Sequence, residues 1–443
     1  MKAICLVEHV DRELDVACLA RLKLKKRYGI DLEIANVSAD APQLLRKQQP
    51  KIVFFSSFYS SEWKLRKDYI SAWPHAKYAS LSWEQIFCPI DLKLHRPIDD
   101  FARQEVHYLA WSDDYRDFLI KNDVNPENIS VIGHALYKLY DDPYLNYFNS
   151  RSALSKKFKL DRNKRWIFVP ENYGFAFYSD EIIELIRCAF LLPDEFNKEL
   201  RSLREYCRAS LATLGRWTEA LSSLDDVEVI FRPRPSVDRD RLAQFLGDEI
   251  GISNPRFHII KEETARDWVI ASDVVISSYS TVLIEASLAN KTIRKVEPTP
   301  LPPSLRYEWC DLVTSVTNED EMLAAASAGS HDGGSSMLRQ WARRRFFPSD
   351  DPAVALVDEI ARLTEAAYRE VRDGTKGPWR QRVPTWLSLI DEFVGPRTRD
   401  KLYRNFVPDY THKVTGHEKD FFDRADVHRR TNRWAKVLAG GVH

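Results

Sequence analysis

The sequence is poor in cysteine and balanced in charge, and each of these features excludes a class of protein. Its six cysteines are spread over 443 residues with no C-x-x-C pair, so we expect buried, reduced thiols rather than a zinc knuckle or a redox centre. Lysine plus arginine number 65, as do aspartate plus glutamate. This balance leaves no global positive field that could hold a nucleic acid.

The sequence also lacks a long hydrophobic run. Stretches such as Val282–Ala289 are far shorter than the roughly 20 apolar residues that a membrane-spanning helix needs. The first residues do not have the charged and then apolar layout of a secretion signal. We therefore expect a cytoplasmic protein.

Four common catalytic signatures are missing as well. The sequence contains no G-x-x-x-x-G-K-[ST], G-x-G-x-x-G, G-x-S-x-G or H-E-x-x-H motif. Their absence disfavours P-loop enzymes, Rossmann dehydrogenases, α/β-hydrolases and zincins. The remaining composition, 44% hydrophobic and 29% charged, is typical of an ordinary globular protein.

Short apolar runs alternate with helical patterns along most of the chain. Lys2–Val7 and residues 51–55 are predicted strands of a first α/β region, which extends to about residue 140. A second alternation begins at Trp166 and includes predicted strands at 227–232 and 274–277. Such alternation predicts parallel sheets covered by helices, so the expected fold class is α/β with two doubly wound, Rossmann-like domains facing a central cleft.

Three regions follow from this pattern and from the length of the chain. We expect an N-terminal Rossmann-like domain at 1–145 and a second Rossmann-like domain at 160–348, with the polar stretch 140–165 as the crossing between them. Residues 349–443 are predicted to form a helical extension that packs back on the domains. The aromatic and basic residues between Lys401 and Trp434 could instead contact a lipid surface.

The strongest candidate site follows the predicted strand at 274–277. Hydroxyl residues including Ser278 lead into a helix that Ser280 or Thr281 would cap, so backbone amides and the helix dipole could hold a phosphate. Glu285 lies one turn further, on the same side as Thr281, and could accept hydrogen bonds from ribose hydroxyls. The alternative is that the serine only caps the helix.

A second candidate site follows the predicted strand at 227–232. Arg232 and Arg234 alternate with prolines, including Pro235, in a rigid loop that suits phosphate or carboxylate. Surface ion pairs are the alternative. Asp238 and Asp240 form a D-x-D pattern, but aspartate is also favoured at a helix start, so metal binding is not expected.

Glu171 is the third candidate, directly after the predicted strand that begins at Trp166. Its partly apolar surroundings would raise its pKa towards that of a general acid, although a structural loop glutamate is an equal alternative. In the first region, Glu84 and His134 also follow predicted strands, and a structural role is expected for the histidine.

These elements resemble bacterial surface-carbohydrate glycosyltransferases of the GT-B fold, in particular retaining transferases that use CMP-Kdo. The resemblance rests on the segments 272–277 and 280–286, on Arg232–Pro235 and on 170–172. It covers about residues 160–300 clearly and 1–140 faintly. Related CMP-sugar transferases carry a His-Pro pair where this chain has Arg234 before Pro235.

The resemblance implies transfer of Kdo from CMP-Kdo to a saccharide or lipid-linked glycan of lipopolysaccharide or capsule, with no metal and no cofactor beyond the CMP-sugar. Ser278, Ser280, Thr281 and the arginine-proline loop would hold phosphate and sugar carboxylate, and Glu285 would hold the ribose. Asp238 would be the nucleophile and Glu171 the acid/base group. The alternatives are a UDP-sugar transferase, a sugar-nucleotide epimerase, or a non-catalytic scaffold of a polysaccharide assembly complex.

Overall fold

The structure is a computed structural model that describes residues 1–234, 237–252, 254–327, 333–373 and 421–440, without the side chains of 327 and 371–373. The strands are β1 Lys2–Val7, β2 Asp31–Asn36, β3 Ile52–Phe55, β4 Lys77–Ser80, β5 Val106–Ala110, β6 Ile129–Val131, β7 Arg165–Pro170, β8 Val227–Arg232, β9 Phe257–Ile259, β10 Val274–Ser277, β11 Thr292–Val296 and β12 Ser315–Val316.

The helices alternate with these strands. They are α1 Asp15–Tyr28, α2 Ala41–Lys47, α3 Lys64–Ala72, α4 Asp91–Leu94, α5 Asp100–Gln104, α6 Asp113–Lys121, α7 Ala135–Lys138, α8 Arg151–Phe158, α9 Asp180–Ala189, α10 Phe196–Ser222, α11 Arg239–Ile250, α12 Ala265–Ala271, α13 Val282–Leu288, α14 Glu319–Ser327, α15 Gly333–Phe346, α16 Pro352–Asp373 and α17 Arg424–Leu438.

The strands form two parallel six-stranded sheets, which confirms the predicted α/β fold class. The first has the order β2-β1-β3-β4-β5-β6 and the second the order β12-β11-β10-β7-β8-β9. In the second sheet the chain runs outward from β7 through β8 to β9, then returns to the other side of β7 as β10. The boundary between β7 and β10 is therefore the topological switch point of this sheet.

The chain divides into two compact units, each with one sheet. The first contains Met1–Gln85, His95–Leu139 and the described residues from Phe346 onward, and the second contains Ile86–Leu94 and Tyr140–Arg345. The short segment Ile86–Leu94 joins the second unit because Tyr307 donates a hydrogen bond to Asp91 (2.9 Å) and Ile90 N–H donates to Ser304 O (3.0 Å).

The cores of both units follow from apolar runs in the sequence. All six residues of β8 are buried, as are five of the six in β7, which is typical of parallel strands covered on both faces. The long helix α10 buries a stripe of apolar side chains over the second sheet. The predicted crossing at 140–165 contains one helix that was not predicted, α8, in which only Leu154 is buried.

The last described helix, α17, packs against α1. Trp434 of α17 is fully buried, and its indole N–H donates to Asp15 O of α1 (2.8 Å). The predicted aromatic positions between 374 and 420 lie outside the described residues.

Five cysteines are buried as expected, whereas Cys188 is exposed, because it lies on the solvent side of α9.

Candidate functional site

Three of the predicted clusters meet at the carboxyl edge of the second sheet. Strand β7 pairs with β8 on one side and with β10 on the other, so the loops that follow these strands are neighbours. Glu171 N–H donates to Arg232 O (3.0 Å), and Ser277 Oγ donates to Pro170 O (2.6 Å). Ligands of open α/β sheets bind at such a switch point, which makes this edge the main candidate site.

Glu171 holds two of these loops together. One carboxylate oxygen accepts a hydrogen bond from Tyr173 N–H (2.7 Å) and the other from Arg234 N–H (2.9 Å). The side chain is only 3% exposed, and burial raises the pKa of Glu171, while the two N–H donors and the arginines act in the opposite direction. These contacts make Glu171 a positioning residue for the loop that carries Arg234, and its acid/base role stays a prediction.

The two arginines of the second cluster differ in their surroundings. The guanidinium of Arg232 is buried, and Nη2 donates to the Glu263 carbonyl (3.0 Å), so this side chain supports the loop. Arg234 is half-buried and lies across Gly174, where a Cβ would come within 2.8 Å of its Cδ. Gly174 is thus required for the position of the Arg234 side chain. Pro235 lies outside the described residues.

Asp238 caps helix α11. Its Oδ1 accepts hydrogen bonds from Asp240 N–H (2.9 Å) and Arg241 N–H (3.0 Å), the usual arrangement of an N-terminal cap. This was the structural alternative to a catalytic or metal-binding aspartate. The nucleophile assignment stays a prediction, with no contact in the structure that supports it.

The start of α13 differs from the expected phosphate site. The cap residue is Thr281, whose side chain makes no capping hydrogen bond, while Ser280 Oγ accepts one from Val282 N–H (3.3 Å). The amides of the next three residues donate to the carbonyl oxygens of Ser280 and Thr281. These four amides therefore have partners within the chain, and phosphate binding by the backbone at the start of this helix stays a prediction.

Two hydroxyl groups near this helix lack a hydrogen bond of normal geometry. Ser278 Oγ and the Tyr173 hydroxyl are both buried and lie near each other, without a hydrogen bond of normal geometry from either to the described residues. A buried hydroxyl in this state costs free energy. Polar groups of this kind at a switch point suit a polar ligand or an ordered water.

Glu285 is half-buried on the helix that follows β10. Its Oε2 accepts a hydrogen bond from the Tyr140 hydroxyl (2.5 Å) and lies 4.0 Å from Arg266 Nε. The sequence predicted Glu285 as a site residue but neither of these neighbours. Tyr140 follows no strand, and tertiary packing alone brings it to the carboxylate.

The first unit contains a charged cluster that the sequence analysis did not assemble. Arg12 contacts two carboxylates, Glu84 through Nη1 (2.5 Å) and Glu13 through Nη2 (3.4 Å). His95 Nε2 lies 3.1 Å from the second oxygen of Glu84, and Ser56 Oγ donates to Glu13 (2.5 Å). The cluster lies at the carboxyl ends of β1, β3 and β4.

The two carboxyl groups of this cluster have opposite pKa shifts. Burial raises the pKa of Glu13, whereas Arg12 and His95 hold the pKa of Glu84 well below its usual value against the effect of desolvation. Such a separation is typical of acid/base pairs. The sequence contained a weaker signal, because Arg12 lies five positions after the end of β1, in a π-helical turn at Val10–Leu14.

His134 has the structural role that was expected for it. Its ring is 3% exposed and stacks between Trp111 (3.6 Å between centroids) and Tyr137 (3.7 Å).

No cluster of three or more histidine, cysteine, aspartate or glutamate residues that could hold a metal ion occurs within the described ranges. No helix in the part of the chain that the structure describes combines the length and apolar character needed to cross a membrane.

No protein-family model and no curated protein matches the chain. Solved structures do match it. The structure of MnaA with UDP from S. aureus superposes with a TM-score of 0.52 and 11% identity, over 82% of this chain and 97% of that one. UDP-N-acetylglucosamine 2-epimerase from Rickettsia bellii gives a TM-score of 0.51 and 13% identity, over 84% and 100%.

The fold is GT-B. Two parallel six-stranded sheets in one chain, matched over nearly the whole length of both solved structures, carry this conclusion. The likeness concerns the fold, and the donor and acceptor have to be argued from the residues of the chain itself.

Proposed function

We propose that this protein is an enzyme that acts on nucleotide sugars and binds the nucleotide at the carboxyl edge of its second sheet. The observation that carries the proposal is the junction of Glu171, the Arg234 loop and the Ser277–Ser278 segment beside the β7–β10 switch point. Open α/β sheets bind nucleotides in this position.

The chemistry of the edge suits the parts of a nucleotide. The half-buried Arg234 guanidinium supplies charge for a phosphate, and Ser278 supplies a buried hydroxyl without a normal partner. Glu285 supplies a carboxylate acceptor for ribose hydroxyls. The first-turn amides of α13 have partners within the chain, so we assign phosphate binding mainly to the side chains.

A uridine nucleotide is the first candidate ligand. One similar structure is described as MnaA with UDP and another as a UDP-N-acetylglucosamine 2-epimerase. A UDP-sugar transferase and a UDP-sugar epimerase both fit this reasoning. They are separated by incubating the enzyme with a UDP-sugar alone, because an epimerase changes the sugar without an acceptor and a transferase needs one.

Transfer of Kdo from CMP-Kdo to a lipopolysaccharide or capsule glycan is the finer alternative. It rests on the resemblance of the arginine-proline loop and of the helix start at Ser280. Its requirement for two guanidinium groups, one for phosphate and one for the sugar carboxylate, is poorly met, because Arg232 is buried and donates to the Glu263 carbonyl. We therefore rank CMP-Kdo below the uridine nucleotides.

Isothermal titration calorimetry with UDP and CMP tests the proposal. We expect UDP to bind, CMP to bind more weakly, and Arg234→Gln to weaken UDP binding about tenfold through loss of a charge-assisted hydrogen bond. Arg239→Gln is the matched control, because Arg239 is an exposed arginine of the same unit. If neither UDP nor CMP binds, the proposal of a nucleotide-sugar enzyme is refuted and a non-catalytic scaffold is favoured.

A further inference from the structure

The carboxylate of Glu285 is held from one side. Its Oε2 accepts the hydrogen bond from the Tyr140 hydroxyl (2.5 Å) and lies 4.0 Å from Arg266 Nε. Its Oε1 accepts no hydrogen bond from any residue that the structure describes. One oxygen is thus fixed by the protein, and the other remains as an acceptor.

Tyr140 and Arg266 are more deeply buried than the Glu285 side chain that they contact. Tyr140 and Arg266 are each 4% exposed, whereas the Glu285 side chain is 18% exposed. The Glu285 side chain is therefore partly accessible to solvent. A hydrogen bond from a buried hydroxyl to a charged group is among the stronger ones in proteins, and the buried guanidinium adds an attraction that water screens little.

A side chain such as Glu285 loses rotational freedom when it binds a ligand, and this loss weakens binding. Glutamate has three rotatable side-chain bonds, so ordering its side chain has an entropic cost. A contact that fixes the carboxylate before the ligand arrives removes part of this cost. The geometry of Tyr140 and Arg266 satisfies that requirement without blocking Oε1.

We propose that Tyr140 is a positioning residue that orients Glu285 so that Oε1 accepts a ribose hydroxyl of the bound nucleotide. Arg266 assists because its guanidinium lies 4.0 Å from the same oxygen and attracts it. The inference rests on the proposed nucleotide site and deepens it, because it makes recognition of the ribose depend on a residue that does not itself contact the ligand.

Calorimetry with two ligands tests this role. Tyr140→Phe removes one hydroxyl, and we expect it to weaken UDP binding about five- to tenfold while changing the affinity for 2′,3′-dideoxy-UDP less than about twofold. The dideoxy ligand has no ribose hydroxyl for Glu285 to bind, so the orientation of the carboxylate no longer matters. Tyr147→Phe is the matched control, because it removes the hydroxyl of another buried tyrosine of the same unit, and it should affect neither ligand.

A second variant keeps the result independent of general damage to the site. In a Glu285→Ala background, which has no carboxylate to orient, Tyr140→Phe should cause no further loss of UDP affinity, because the two residues act through one interaction. An equal loss for both ligands, no loss for UDP, or additive losses in the double variant would each overturn the positioning role while leaving the nucleotide site intact. Failure of the unaltered protein to bind UDP would overturn both proposals together.

Discussion

Glu171→Gln tests whether this residue acts through the backbone or through proton transfer. The carboxylate accepts one N–H from Tyr173 (2.7 Å) and one from Arg234 (2.9 Å). Glutamine replaces one acceptor oxygen by an NH₂ group, which then faces a backbone donor. One buried N–H loses its partner, at a cost of about 1–3 kcal/mol.

Relief from burying a charge opposes this cost. Burial raises the pKa of Glu171, so the ionised carboxylate is disfavoured in the folded protein, and glutamine removes that penalty. We expect the free energy of unfolding to fall by about 1–2 kcal/mol near neutral pH. The corresponding drop in the melting temperature of a unit of this size is about 2–8 °C.

Denaturant unfolding and calorimetry with UDP are the assays. Without the hydrogen bond to Arg234 N–H, the loop that carries Arg234 should no longer be held in one position. UDP affinity should therefore decrease together with stability. Glu249→Gln, an exposed glutamate of the same unit, is the control and should change neither quantity. A Glu171→Gln protein with unchanged stability and unchanged UDP affinity but no turnover would refute the positioning role and support acid/base catalysis.

Three further changes have definite expected outcomes. Gly174→Ala should displace the Arg234 side chain and weaken UDP binding about tenfold with little loss of stability. Asp238→Ala should lower the free energy of unfolding by about 1 kcal/mol, whereas Asp238→Asn should preserve the cap. Burial raises the pKa of Glu359, but hydrogen bonds from Arg362 and Ser130 outweigh it and hold the pKa well below its usual value. The contribution of Glu359 to stability therefore exists above the usual glutamate pKa and is lost on acidification. In unfolding experiments Glu359→Gln should therefore be less stable at neutral pH, by about 1–2 kcal/mol, and should lose less stability in acid.

The fold could be predicted because its strands are continuous apolar runs. Strands β7, β8 and β10 are buried almost throughout, as expected for a parallel sheet covered on both faces, and the helix α10 between β7 and β8 has an apolar stripe that packs on this sheet. The membership of Ile86–Leu94 in the second unit could not be predicted, because it depends on the contact of Asp91 with Tyr307 in a distant part of the sequence. Helix α8 was missed because it buries a single apolar residue.

The structure brings three predicted segments together at one edge of the second sheet, and their role as a ligand site stays a prediction. The ends of strands in open sheets identify Glu171, Arg234 and Ser278, because that rule depends only on topology. Whether a carboxylate accepts backbone N–H groups or faces solvent depends on loop geometry, which the sequence does not encode locally. Tyr140 shows the same limit, since its contact with Glu285 spans 145 positions.

A crystal structure of the protein soaked with UDP tests the central claim most directly. The account predicts a diphosphate beside the Arg234 guanidinium and a ribose hydroxyl within about 3 Å of Glu285 Oε1, at the carboxyl ends of β7 and β10. A nucleotide bound elsewhere, with both of these side chains free of contact to it, would contradict the account.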